Sequence, residues 1–209
     1  ENPRFLYGAN NLFIADDLRE AGGYIRTLKT NYEDMSMSES LYKLGKKLYY
    51  TPEAKAWHLR HDTEVSILPG FWKWFHAKAV LAGDFKNPDK IIERIEKVAF
   101  GIFKYRSKKD LETGRTELYR LDSMIPWVFC ALDLRFASSL EKLNVPEFPN
   151  NQLLEKLTQE DREILLAILK TPSASSTSTP EKWHQDYLKA FNDALSSASA
   201  EIQALKKQS

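Results

Sequence analysis

Glu33 and Asp34 stand together where a helix should begin, because Met37, Leu41 and Leu44 recur at helical spacing and Gly45 follows as a left-handed cap. The helix dipole favours a carboxylate in a first turn, and a carboxylate facing a cleft can take a proton. Asn31 as cap with an acid three residues on is equally an ordinary capping arrangement, and on spacing alone that reading outweighs catalysis. His58 and His61 are three residues apart, a spacing that seats two imidazoles on one cation or simply places two on a loop. Asn10 and Asn11 follow Gly8-Ala9 in a turn, where asparagine needs no further role.

The elements that must position these groups divide the chain unevenly. All eight glycines occur at or before Gly114, so the front half turns often and the rear half is built from helices. A strand near Phe5, a loop, a strand over Leu12–Ala15 and a short helix ending at Gly22-Gly23 come first. After the Glu33–Leu44 helix, Lys47–Tyr50 and Ala54–Trp57 read as short strands around the Thr51-Pro52 turn. Pro69 is expected to open an aromatic helix that closes near Gly83, and Asn87-Pro88 to cap and start the next. In that next helix Ile91, Ile95, Val98 and Ile102 share one face.

Pro126 should kink or split a helix carrying Leu118, Leu121, Ile125, Val128 and Leu132. A linker over 144–151 precedes a helix capped by Thr158, and the Ser/Thr/Pro-rich stretch 171–180 is too poor in apolar groups to offset its ordering entropy. The last helix, from Ser178-Thr179-Pro180-Glu181, carries Tyr187, Phe191 and Ile202 on one side. The expected fold is therefore α+β: a small mixed sheet with short helices in residues 1–68, then a helical region over 69–209.

Composition narrows the function classes. Thirty Lys and Arg against 29 Asp and Glu give a formal net charge of +1, so no global field draws the chain to nucleic acid. With 43% hydrophobic and 28% charged residues it belongs with folding globular sequences. Cys130, the sole cysteine, excludes an intrachain disulfide and fits a reducing compartment, which favours a cytoplasmic location; its apolar run suggests an inert buried thiol. The longest apolar run, Met124–Leu132, is far shorter than the roughly 20 residues a spanning helix needs. Lys104–Lys109 reads as a solvated basic helix end.

As an ordered series, the front segments resemble the second half of a family 2 glycosyltransferase domain of GT-A type. Gly8-Ala9-Asn10-Asn11-Leu12-Phe13-Ile14 is similar to that family's Gly-Ala-Asn strand, and Leu18 to Tyr24 to its helix ending in Gly-Gly-aromatic. Glu33-Asp34, Gly45, Lys47 and Tyr49-Tyr50-Thr51-Pro52-Glu53-Ala54 through His58 resemble its acidic pair, Gly-basic turn and Pro-Glu-Ala strand. The likeness covers the first quarter to third of the chain. The family's Asp-x-Asp metal motif is missing from this sequence, so the donor-binding half of the domain is expected to lie outside it.

The resemblance implies inverting transfer of a sugar from a nucleotide-sugar donor to a glycan or lipid-linked acceptor hydroxyl, with Asp34 as general base and Glu33 beside it. It implies Asn10 and Asn11 as sugar-cleft residues and His58, with His61 as fallback, as a ligand to a divalent cation, Mn or Mg. Trp57, with Tyr49 and Tyr50, offers a platform for a sugar ring, although aromatic residues in short strands more often pack in a core. The aromatic and basic mixture of 69–82 suits peripheral contact with the inner face of a membrane, against the stronger reading that its aromatics pack inward. A different class of function competes: a noncatalytic helical interaction module or scaffold, with the Gly-free half from Arg115 onward binding a partner.

Overall fold

A computed structural model describes residues 3, 5, 11–25, 32–57, 59, 61–115, 118–141, 154–169 and 182–207. The chain forms two compact units, one of Glu1–His61 with Lys73–Lys78, the other of Asp62–Trp72 with Ala79–Ser209. His58, Asn10, the 144–151 linker and the 171–180 stretch lie outside the described residues.

Among the described residues of the first unit, α1 (Ala15–Glu20), α2 (Glu33–Lys43) and the Lys73–Lys78 part of the helix Glu64–Ala82 are regular. Met37, Leu41 and Leu48 are buried, with Phe13, Leu18 and Ala21 packed against them. Gly45, at φ 72°, ends α2 in the left-handed conformation expected of it. Its N–H donates to the Tyr42 carbonyl at 3.0 Å and the Lys46 N–H to the Leu41 carbonyl at 3.0 Å, closing a Schellman motif. That turn aims Lys46 at α1, where its Nζ pairs with Asp17 Oδ1 at 2.8 Å and Glu20 Oε2 at 2.7 Å.

The α+β expectation is corrected here. Among the described residues every regular element is helical and no sheet forms. Residues 47–50 and 54–57 run without helical or ladder pairing, and Tyr49, Tyr50 and Trp57 are 66%, 76% and 94% exposed. Alternation and aromatic content mark chain that suits a sheet, but a strand exists only where a neighbour supplies the ladder hydrogen bonds.

Every regular element among the described residues of the second unit is helical, the helix Glu64–Ala82 lending its Lys73–Lys78 stretch to the first unit. Helix α3 (Glu64–Ala82) starts five residues before the expected Pro69, because Ser66 Oγ accepts the Thr63 N–H at 2.9 Å and fixes the first turn. A short 3-10 turn (Asp84–Lys86) leads to α4 (Pro88–Arg94), where Asn87 Oδ1 accepts the Asp89 N–H at 2.9 Å and Pro88 occupies the first helical position. Asn87→Ala should cost about 1 kcal/mol, read as a thermal midpoint lower by roughly 2–4 °C.

The run then widens into a π-helix (Ile95–Phe100) before α5 (Gly101–Thr113). The wide turn moves the apolar stripe. Ile91 and Ile95 are buried as expected, but burial continues at Ala99, Phe100 and Phe103 in place of Val98 and Ile102. Helix α6 (Tyr119–Glu141) passes through Pro126 as one element, and from Met124 to Ala131 every residue is buried, as suits a central helix. It packs on α5, the π-helix and α7 (Gln159–Leu169), while α8 (Lys182–Lys206) covers α4, the π-helix and α5. Phe191 of α8 lies 5.0 Å from the Trp127 ring and 5.5 Å from that of Phe100. Cys130 is fully buried beside Tyr187, and burial raises its thiol pKa, in keeping with an inert group.

An ion pair with both partners buried is built into this core. Asp133, 1% exposed, accepts from Arg94 through both oxygens, at 3.2 and 3.3 Å, and from Trp72 Nε1 at 2.8 Å. The Arg94 guanidinium also lies 5.0 Å over the Phe85 ring. Arg106, read from sequence as part of a solvated basic end, instead reaches the buried Asp122 at 2.6 Å. Among the described residues no helix is long and apolar enough to cross a membrane.

Candidate functional site

The acidic pair opens α2, and the backbone in front of it is forced. Tyr32, not Asn31, precedes the helix, and at φ 79° it is the described non-glycine residue with left-handed backbone. An aromatic residue held there carries local strain that its surroundings must offset. Its ring is 4% exposed, packs edge-on to Trp74 at 5.7 Å, and sends its hydroxyl to Glu39 Oε1 at 3.0 Å. Burial, followed by the Glu39 hydrogen bond and charge, pushes the Tyr32 phenol up to about 12, so it remains a donor at neutral pH. Tyr32 is thereby anchored at both ends, and the two residues after it are held at the head of the helix.

Glu33 and Asp34 are half-buried. Asp34 Oδ1 accepts the Met35 N–H at 2.7 Å, and the Asp34 carbonyl accepts the Ser38 hydroxyl at 2.8 Å. Glu33 Oε2 is buried with no protein hydrogen bond, as is Asn11 Nδ2. Tyr24 stands near the pair: its phenol is raised first by burial and then by the negative charges of Asp34 and Glu33. Phe13 meets the Tyr24 ring edge-on at 6.2 Å, which ties the Asn11–Ile14 segment to the same region. The head of α2 thus offers two carboxyl groups and a phenolic donor, with the Asn11 amide in the same unit.

A cavity of about 440 Å³ lies along α2, lined by Phe5, Met35, Glu39 and Tyr42. Those three helix residues are four and three apart and share a face. Neither Glu33 nor Asp34 lines this cavity, so the hollow and the acids occupy different faces of one helix.

Of the residues singled out in the sequence, Asn11, Glu33 and Asp34 fall in one unit; Tyr24 neighbours the two acids, and its ring packs on Phe13, two residues after Asn11. Trp57 is not drawn in, being 94% exposed. His61 is exposed, and among the described residues no group of three or more His, Cys, Asp or Glu side chains could hold a metal ion. The described residues therefore do not supply a ligand set for the expected cation. In 69–82 the indole of Trp72 is engaged by Asp133 and that of Trp74 by Tyr32 and Phe75, which accounts for two of the aromatics by packing.

Tyr24, Tyr32 and Glu39 escaped the sequence reading as site residues. Tyr24 had a signal, closing the Gly-Gly-aromatic turn; the backbone of Tyr32 had none, since its conformation is set by packing. Compared with known proteins, the chain matches no family model, no curated protein and no solved structure.

Proposed function

We propose that this chain carries the acceptor side of an inverting glycosyltransferase that moves a sugar from a nucleotide-sugar donor to a glycan or lipid-linked hydroxyl. The observation that supports it most is the Glu33-Asp34 pair at the head of α2 beside the Tyr24 phenol. Asp34 takes the acceptor O–H proton as that oxygen bonds to the anomeric carbon from the face opposite the departing nucleotide diphosphate. The carbon's bond to the diphosphate oxygen breaks with its electron pair on the leaving group. Asn11 Nδ2 and Glu33 Oε2, buried without protein partners, suit hydrogen bonds to sugar hydroxyls.

A divalent cation would neutralise the leaving group in such a reaction, but it enters only through the resemblance, and the proton transfer assigned to Asp34 needs none. The single cysteine suits a reducing compartment, and the reaction is placed in the cytoplasm, with residues 69–82 at most grazing the inner membrane face. The test is to incubate the full protein with a panel of nucleotide-sugar donors and glycan or lipid-linked acceptors, reading the product's anomeric configuration by NMR. Transfer with inversion is expected. Transfer with retention, or no donor bound or consumed across the panel, rejects the proposal and leaves the helical scaffold as the function.

A further inference from the structure

The second unit holds a pair of acids that the proposed chemistry does not use. Asp110 of α5 is 7% exposed and Asp122 of α6 is fully buried. Helices α5 and α6 pack on each other, the Asp110 carboxyl is among the neighbours that raise Asp122, and Oδ2 of each acid is buried without a donor. Two carboxylates both accept, so a hydrogen bond between them forms only when one carries a proton. Ser107, fully buried and one turn before Asp110, also has an unpartnered hydroxyl oxygen. One cation answers the pair: Arg106 Nε donates to Asp122 Oδ1 at 2.6 Å, with its guanidinium 5.1 Å over the Phe71 ring of α3.

Several charges on the packed elements are engaged elsewhere. On α8, Glu201 pairs with Lys104 and Lys206 lies 3.8 Å over the Tyr119 ring, while Glu160 and Asp161 of α7 hold Arg120. The site thus has two buried negative charges when fully ionised and one positive charge beside them.

We infer that Asp110 and Asp122 share one proton in the folded protein and form a pH-sensitive latch between α5 and α6. With the proton present, the two carboxyl groups are joined through it and Arg106 balances the remaining charge. Without it, an uncompensated negative charge is left between the two helices, and they loosen. Burial is the main cause that raises Asp122 to about 6, the Asp110 carboxyl adds to it, and Arg106 opposes it. The unfolded value is about 3.9, so the folded state binds the proton more tightly. The stabilisation is complete below about pH 4 and is lost as pH rises through about 6.

The test follows thermal unfolding of the full chain from pH 4.5 to 7.5, with Asp122→Asn and Asp110→Asn alongside. The wild-type midpoint should fall by roughly 5 °C more than that of either variant across this range. Side-chain carboxyl NMR of the wild type supplies a readout that survives failure of the variants to fold, with Asp122 titrating near pH 6. Wild-type and variant midpoints that run parallel, or Asp122 titrating below about pH 4.5, would overturn the inference.

Discussion

If the proposed transfer is the chain's reaction, Asp34→Asn is expected to lower the turnover rate by about 10²–10⁴-fold, the usual contribution of a general base. KM for the acceptor should change little, because asparagine keeps the size of the side chain and can still accept the Met35 N–H that Asp34 Oδ1 accepts at 2.7 Å. The loss of a negative charge at the start of α2 costs about 0.3–1 kcal/mol, so the thermal midpoint should move by no more than about 3 °C. Steady-state kinetics and a thermal melt on the same preparation separate the roles. Full activity with a large drop in midpoint would reduce Asp34 to a helix-start residue.

Arg94→Met should destabilise the second unit by about 3–5 kcal/mol, seen as a thermal midpoint lower by roughly 10 °C or more. The cost comes from what is left behind. Asp133, 1% exposed, would retain Trp72 Nε1 as a donor but lose the charge that answers its own. Arg94→Met with Asp133→Leu removes both charges, and much of the stability should return because a well-packed apolar pair replaces an ion pair whose desolvation is expensive. If the double variant melts no higher than the single one, the arginine acts through its stem packing and its place over Phe85 rather than through its charge.

Helical periodicity, caps and terminating glycines carried most of the readable fold. The Glu33–Lys43 helix, its Gly45 turn and the Asn87-Pro88 start were all visible, because each is set by residues within one turn of one another. Residues 47–50 and 54–57 were misread as sheet because their pattern describes one edge only, and pairing is a property of two. The π-helix was invisible too: Ile91, Ile95, Val98 and Ile102 fit a regular α-helix on paper, and only packing moved the stripe to Phe100 and Phe103.

The candidate site divides the same way. The acids were legible from their place at a helix start, whereas the left-handed backbone of Tyr32 depends on Trp74, more than forty positions along the chain. Arg106 was hidden within a basic run that gave no sign of a buried carboxyl across from it.

The wide turn at Ile95–Phe100 gives this stretch one residue of slack. A π turn bonds each amide five residues back where an α turn uses four, so excising a single residue between Glu96 and Val98 could be absorbed by local tightening. Everything downstream, including the side of α5 that bears Ser107 and Asp110, would keep its angular setting. A deletion of the same size within α5 has no such reserve: it would turn the remainder of that helix by about 100° and swing its buried polar side out of register.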